Sequence, residues 1–271
     1  MGQPNVGKST LFARLTGTSL EAGNWPGKTV ERREGRVTSA GRALTLIDLP
    51  GTYSFSASSE EERIARDYVL QERPDVLIVV VDATALERGL YLLAEVLLLP
   101  VPVVVALNRT DLAERAGAPV DARALSLALG LPVVPVVART GLGLDALAAE
   151  VVRVATHRDA VPPVAFEVDH ATAVLLQRAT ALVAPHVPAP YTAGWIVHKL
   201  LEGDTEMVDL LRSWLPRDDH AALDALIVDA EAASMAVAGA RYAWAGRAAR
   251  SALAPAEARV GRTSWTDRID R

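Results

Sequence analysis

The stretch Gly2-Gln3-Pro4-Asn5-Val6-Gly7-Lys8-Ser9-Thr10 carries the pattern G-x-x-x-x-G-K-S. Those residue types at that spacing can hold the phosphates of a nucleoside triphosphate. The glycines let the backbone curl so that successive amides point inward at one phosphate. The Lys8 ammonium can reach the β and γ oxygens, and the Ser9 hydroxyl can ligate Mg²⁺. Taken alone, the pattern could be a chance glycine-rich turn. Three later motifs at suitable distances favour a phosphate-binding loop.

Thr29 lies twenty residues beyond Ser9, in the segment Glu21-Ala22-Gly23-Asn24-Trp25-Pro26-Gly27-Lys28-Thr29-Val30-Glu31. Two glycines and a proline predict a mobile loop. Thr29 is placed to act as a switch residue meeting Mg²⁺ and the γ-phosphate. Asp48-Leu49-Pro50-Gly51 follows an apolar run. Asp48 would hold Mg²⁺ through water, and the Gly51 amide would touch the γ-phosphate. Lys8, Thr29 and Gly51 are thus the candidate catalytic contacts, and Ser9, Thr29 and Asp48 the Mg²⁺ set.

Asn108-Arg109-Thr110-Asp111 ends another apolar run. A carboxylate there can accept from both N1–H and the exocyclic amine of guanine. Adenine lacks that donor pair, so Asp111 would select GTP over ATP. Asn108 would bond the base and brace the phosphate loop. In Val137-Ala138-Arg139-Thr140-Gly141 the Ala138 amide is a candidate donor to guanine O6, with Arg139 beside it.

The elements that position these residues follow from the hydrophobic pattern. Thr10 to Thr16 reads as a helix whose positive end faces the phosphates. Glu34 to Ser39, Ala43 to Asp48, Val76 to Val81, Val103 to Leu107 and Val133 to Val137 read as strands. Helices are expected over Glu60 to Gln71, with Ser59 as N-cap, and over Leu86 to Leu98, Asp121 to Leu129 and Leu144 to Ala155. This alternation predicts a doubly wound, mostly parallel α/β sheet. A phosphate loop ordinarily follows a buried strand, yet only Met1 precedes Gly2, so the first strand is missing. The expectation is a start codon placed too late and neighbouring strand edges left unpaired.

Pro162 and Pro163 mark a linker, after which the valine-rich strands stop. Asp169 to Ala184, Ala193 to Leu201, Thr205 to Trp214, His220 to Ala233 and Ala236 to Leu253 read as helices. The expected domains are 1–160 for nucleotide binding, 166–254 all-helical, and a charged tail over 255–271. That tail is either a disordered end in the isolated chain or, through Trp265, Ile269 and its arginines, a segment at a membrane interface.

The 271 residues are half hydrophobic and 23% charged, enough for one large or two modest cores. The net charge of −5 argues against a nucleic-acid partner. With no cysteine there is no disulfide, thiolate metal site or cysteine nucleophile. The five histidines are scattered, no pair is spaced i, i+4, and no iron site is legible. The run Val96 to Leu107 is too short to span a bilayer and contains Pro100 and Pro102. The chain reads as soluble and cytosolic.

The motifs in this order resemble those of translation-factor-related GTPases. The phosphate loop, Gly23-Asn24-Trp25-Pro26-Gly27-Lys28-Thr29-Val30-Glu31, Asp48-Leu49-Pro50-Gly51-Thr52-Tyr53-Ser54 and Val80-Val81-Asp82-Ala83-Thr84-Ala85-Leu86-Glu87-Arg88 closely resemble the cytosolic N-terminal region of FeoB ferrous-iron transport proteins. Ala240-Arg241-Tyr242 and the ending Thr266-Asp267-Arg268-Ile269-Asp270-Arg271 add to the likeness. The resemblance implies a GTPase domain, a helical domain inhibiting nucleotide dissociation, and a membrane permease as partner at the cytoplasmic face of the bacterial inner membrane, with the tail over 255–271 leading towards its transmembrane domain. It also implies K⁺ activation, with Asn5 and the carbonyls of Gly23 and Trp25 as ligands. Such a cation can supply the charge that an arginine finger supplies elsewhere.

Two features depart from the pattern. Arg109 is expected to stack on the ribose side or point away. No glutamine lies between Asp48 and Ser59, and Tyr53 stands where a water-orienting residue would. Hydrolysis is therefore expected to be slow, on the order of 10⁻⁴ to 10⁻² s⁻¹. GTP/GDP, Mg²⁺ and K⁺ are the expected ligands, and homo-oligomerisation stays open. The rivals are a ribosome- or tRNA-associated GTPase and a nucleotide-gated module without turnover.

Overall fold

The computed structural model describes residues 1–17, 20–54, 59–157 and 164–253. In chain order it runs α1 (Lys8–Thr16), β1 (Leu20–Asn24), β2 (Glu31–Ser39), β3 (Arg42–Asp48), α2 (Glu60–Glu72), β4 (Leu77–Asp82), α3 (Leu86–Val96), β5 (Val103–Asn108), α4 (Thr110–Arg115), α5 (Ala122–Leu129), β6 (Val133–Pro135) and α6 (Leu144–His157). Four helices follow: α7 (His170–Val183), α8 (Ala193–Leu201), α9 (Thr205–Trp214) and α10 (His220–Ala252).

β4 and β5 are runs of branched aliphatic residues, and they pair in parallel from Leu77–Val103 to Asp82–Asn108, with β6 on the far side of β5. All of β5 is buried, as a strand covered on both faces must be. Alternate residues serve two cores. Val79, Val81, Val105 and Leu107 face Leu90 and Leu93 of α3 and Leu125 of α5. Val80, Val104 and Ala106 face Leu11 of α1 and Leu147 and Val151 of α6. Helices on both faces of a parallel sheet give the doubly wound layout.

The other three strands form a separate antiparallel sheet, β1-β2-β3. Between the two sheets, Met1 and Gly2 pair alongside β4. The Met1 amine donates to the Ile78 carbonyl at 2.8 Å, the Val80 amide donates to Met1 at 2.8 Å, and Gly2 bridges Val80 in the parallel sense. The Thr52 amide donates to the Gly2 carbonyl at 3.3 Å from the other side. The phosphate loop is thereby suspended from β4.

Three expectations need correction. The segment Glu21–Glu31 is not all loop: Leu20–Asn24 pairs with Glu31–Gly35 of β2, and Trp25 is buried with its ring 5.3 Å from that of Tyr68. The glycine-rich sequence hides this strand, because its order comes from β2 and the indole anchor. Second, α10 is one helix of 33 residues, not two. Ala233-Ser234-Met235 holds no glycine or proline, and Leu226, Ala230, Ala233 and Val237 run through the junction as one buried stripe. Third, α4 follows Asn108-Arg109 directly, where no helix was expected. Ser59 does cap α2, accepting from the Glu62 amide at 3.1 Å. The Pro162–Pro163 linker, and the tail from Ala254, lie outside the described residues. α10 packs against α3 and α5 of the first part as well as α7 and α8. No helix of the described residues is long and apolar enough to cross a membrane.

Candidate functional site

The phosphate loop is built from backbone that ordinary residues avoid. Gly2 has φ 151°, Asn5 64° and Gly7 94°, and α1 begins directly after Gly7. A Cβ on Gly7 would lie 2.4 Å from Asn108 Nδ2 at a strained φ, so any other residue would have to displace Asn108. The Lys8 ammonium donates to the Gln3 carbonyl at 2.9 Å, curled under the loop. Burial pulls its pKa down, and the nearby Asp48 carboxylate opposes that pull. Gly51 sits directly on the loop: a Cβ there would lie 3.1 Å from Lys8 Nζ and 3.2 Å from Pro4 Cα.

Ser9 and Asp48 come together. The Ser9 hydroxyl donates to Asp48 Oδ2 at 3.1 Å, joining α1 to the end of β3. A hydroxyl and a carboxylate side by side are the hard oxygen donors that suit Mg²⁺. Thr29, by contrast, is exposed in a bend, and no described contact brings it to this pair. Gly23 lies within β1 opposite Arg32. The Trp25 carbonyl accepts from the Lys28 amide at 2.9 Å. Asn5 is exposed on the loop; no described contact joins it to Gly23 or Trp25.

On the base side, Asn108 is 3% exposed and works as a strut. Its amide donates to the Val6 carbonyl at 2.8 Å and accepts from the Ala138 amide at 3.0 Å. One side chain thus joins the phosphate loop to the loop after β6. The Ala138 amide, assigned from sequence to a guanine oxygen, is here engaged by Asn108. Asp111 stands in the first turn of α4 with a partly exposed carboxylate, 3.8 Å from the Arg139 guanidinium and 3.9 Å from that of Arg115. The Arg139 carbonyl accepts from Arg14 of α1 at 2.8 Å. Ser9 and Thr10 are exposed at the mouth, while Val6 is buried beneath it.

Arg109, expected to stack on the ribose side or point away, is held by two contacts of its own. Its backbone is left-handed, φ 62°, and its guanidinium donates to Asp82 Oδ2 and to the Asn5 carbonyl, each at 2.5 Å. Asp82 also accepts from the Thr84 amide and hydroxyl at 2.9 and 2.7 Å. Sequence reasoning missed Asp82, for which a polar residue ending an apolar strand was the available signal. It missed Glu62 too, whose carboxylate accepts from the amides of Tyr53 and Ser54 at 3.3 and 3.2 Å. The S-x-x-E spacing from Ser59 could have found that one. Tyr53 itself is 57% exposed.

A glycine-rich loop hung from β4, a hydroxyl–carboxylate pair at the end of β3 and an asparagine strut at the end of β5 invite comparison with known proteins. The family model for ferrous iron transport protein B matches residues 1–151. The Fe(2+) transporter FeoB of Escherichia coli strain K12 is 41% identical over 210 residues, covering 75% of this chain and 26% of that protein. The chain spans about a quarter of the length of the curated relatives it matches. Among solved structures, the cytosolic domain of T. maritima FeoB in its GMPPNP form aligns with TM-score 0.81 at 31% identity, covering 94% of this chain and 97% of that one. The cytosolic domain of L. pneumophila FeoB aligns with TM-score 0.81 at 31% identity, covering 94% and 98%. The chain belongs to the FeoB ferrous iron transport family, and it corresponds to the cytosolic part of those proteins.

Proposed function

We propose that this chain binds GTP with Mg²⁺, hydrolyses it slowly, and regulates a ferrous-iron permease at the cytoplasmic face of the bacterial inner membrane. The observation that carries the reading is the Asn108 strut. It couples Val6 of the phosphate loop to Ala138 of the base loop, and sets Asp111 one turn further on as the guanine acceptor. T. maritima FeoB solved in GDP and GMPPNP forms supports a nucleotide that cycles between two states. With nucleotide bound, Lys8 would turn from the Gln3 carbonyl to the β and γ oxygens. Gly51 would offer its amide to the γ-phosphate. Ser9 and Asp48 would hold Mg²⁺, and Thr29 would join them as its bend closes.

Turnover would be slow because no glutamine lies between Asp48 and Ser59 in the sequence, and Tyr53 is more than half exposed. K⁺ stimulation would require Asn5 to share a cation with the carbonyls of Gly23 and Trp25. Supplying that cation then adds positive charge beside the phosphates. The experiment is GTP turnover with Mg²⁺ in potassium and in sodium buffer, with ATP as control. GTP-only turnover, faster in potassium, supports the reading. Equal turnover in both salts removes the K⁺ assignment. Binding without turnover leaves a nucleotide-gated module, and equal use of ATP removes the base-pocket assignment.

A further inference from the structure

The phosphate loop is tied to the start of α3 at two points. Gln3, 6% exposed, donates from Nε2 to the Arg88 carbonyl in the first turn of α3 at 2.9 Å. The Asn5 carbonyl accepts from Arg109, Arg109 also holds Asp82, and Asp82 caps the turn Ala83–Ala85 that leads into α3. Neither tie involves Thr29 or the segment after Gly51.

The other end of α3 is set in the helical part. Glu95, 2% exposed, lies 3.3 Å from Lys199 of α8 and 3.6 Å from Arg241 of α10, both of them fully buried. Glu202 completes the cluster, 2.6 Å from Lys199 and in contact with Arg241. Burial pushes the Glu202 carboxyl up, but Lys199 and Arg241 outweigh it and hold it below its ordinary value. One turn before Glu95, the Tyr91 ring stacks on Tyr242 of α10, centroids 4.2 Å apart.

At 1.5 Å per residue, the eleven residues of α3 span about 16 Å. A helix of that length is stiff, and a buried cluster of alternating charges has few arrangements that leave every group paired. A shift of α8 or α10 that keeps the cluster paired therefore has to move Glu95, and α3 carries that movement to Arg88 and the turn that Asp82 caps.

We propose that Gln3 and Arg109 are positioning residues that fasten the phosphate loop to α3, and that the helical part acts on nucleotide retention through the Glu95 end of that helix. This rests on the nucleotide-binding reading above, and the route does not pass through the segment after Gly51.

The test is a double-mutant cycle on the whole 271-residue chain, read as the dissociation rate of a fluorescent GDP analogue. Gln3→Met removes the amide donor and keeps the volume; Glu95→Gln keeps the shape and removes the charge. Glu95→Gln is expected to change the dissociation rate by roughly twofold to thirtyfold, the range over which packed networks transmit coupling. In a Gln3→Met, Arg109→Met background that change is expected to shrink towards none. Tyr242→Ala, at an exposed position, should act in the same direction and serves if Glu95→Gln does not fold. Glu206→Gln, which touches α2 instead, should keep its whole effect in the same background. Dissociation rates that multiply independently, with melting temperatures falling alike in both backgrounds, would reduce these residues to packing and overturn the proposal. Wild-type chain that binds no GDP would overturn the function proposed above, which is a different result.

Discussion

Nη2 of Arg66, on α2, lies 3.2 Å from both carboxylate oxygens of Glu206, on α9. The two ends of this pair are unequally buried: the Arg66 side chain is 2% exposed and that of Glu206 51%. Arg66 has one further partner, Asp67, at 2.9 Å. The pair joins the helix that follows Gly51 to the helical part of the chain.

The inequality makes the two deletions differ. Glu206→Gln leaves a buried guanidinium with Asp67 as its remaining carboxylate and is expected to cost about 1–3 kcal/mol. Arg66→Met removes the buried charge itself and leaves the solvent-accessible carboxylates of Glu206 and Asp67, so its cost should be smaller. Urea unfolding of both variants checks the order. The reverse order would mean that the methylenes of Arg66, not its charge, carry the contact.

Gly7→Ala is expected to abolish nucleotide binding while the chain still folds. The added methyl would meet Asn108 Nδ2 at 2.4 Å, at a backbone angle of 94° that alanine resists. Relief requires moving Asn108, and with it the Val6 and Ala138 contacts. The backbone strain alone costs about 1–3 kcal/mol. Calorimetric titration with GDP and a melting curve give the answer together. Unchanged affinity would mean that the strut is not needed for the pocket.

Asp111→Asn should exchange base preference. An amide can donate where the carboxylate only accepts, which suits the 2-oxo group of xanthine and leaves guanine donors unpaired. Discrimination of this kind reaches about 10⁴-fold when a buried polar pair is mismatched. Arg139 and Arg115 flank the position, and loss of the negative charge frees them, so the observed swing should be smaller. Competition between GDP and xanthosine diphosphate measures it; undiminished guanine preference would sink the assignment of Asp111.

How much of this was legible from sequence depends on where each contact comes from. The phosphate loop, β4, β5 and the Asn108 position are local: glycine spacing, aliphatic runs and a polar residue at a strand end define them. β1 was not legible, since Leu20-Glu21-Ala22-Gly23-Asn24 holds no β-branched or aromatic residue and is ordered by β2. The continuity of α10 was not legible, since the pattern predicts two helices, one ending at Ala233 and one starting at Ala236, whereas α10 packs as one helix against α7 and α8. The Arg109–Asp82 pair spans 27 residues and needs a left-handed backbone at Arg109, which no sequence period announces.

His198 supplies a pH test of the helical part. Its Nδ1 lies 2.7 Å from the Gly194 carbonyl, and the Phe166 ring meets it edge-on at 5.9 Å. Burial lowers its pKa, Arg241 and Lys199 press the same way, and the Gly194 carbonyl and Glu202 oppose them. The fold thus favours the neutral ring. As pH falls, the unfolded chain takes up the proton first, at its ordinary value of about 6.5. The contribution of His198 is therefore complete above that pH and is lost as pH drops through 6.5 towards the folded value. Unfolding free energies measured between pH 7.5 and 5.5 should decline more steeply in the wild type than in His198→Gln. Carboxylates titrate lower and affect both chains alike, so the difference in slope isolates the histidine. Parallel slopes would show that His198 is protonated with equal ease in the folded chain.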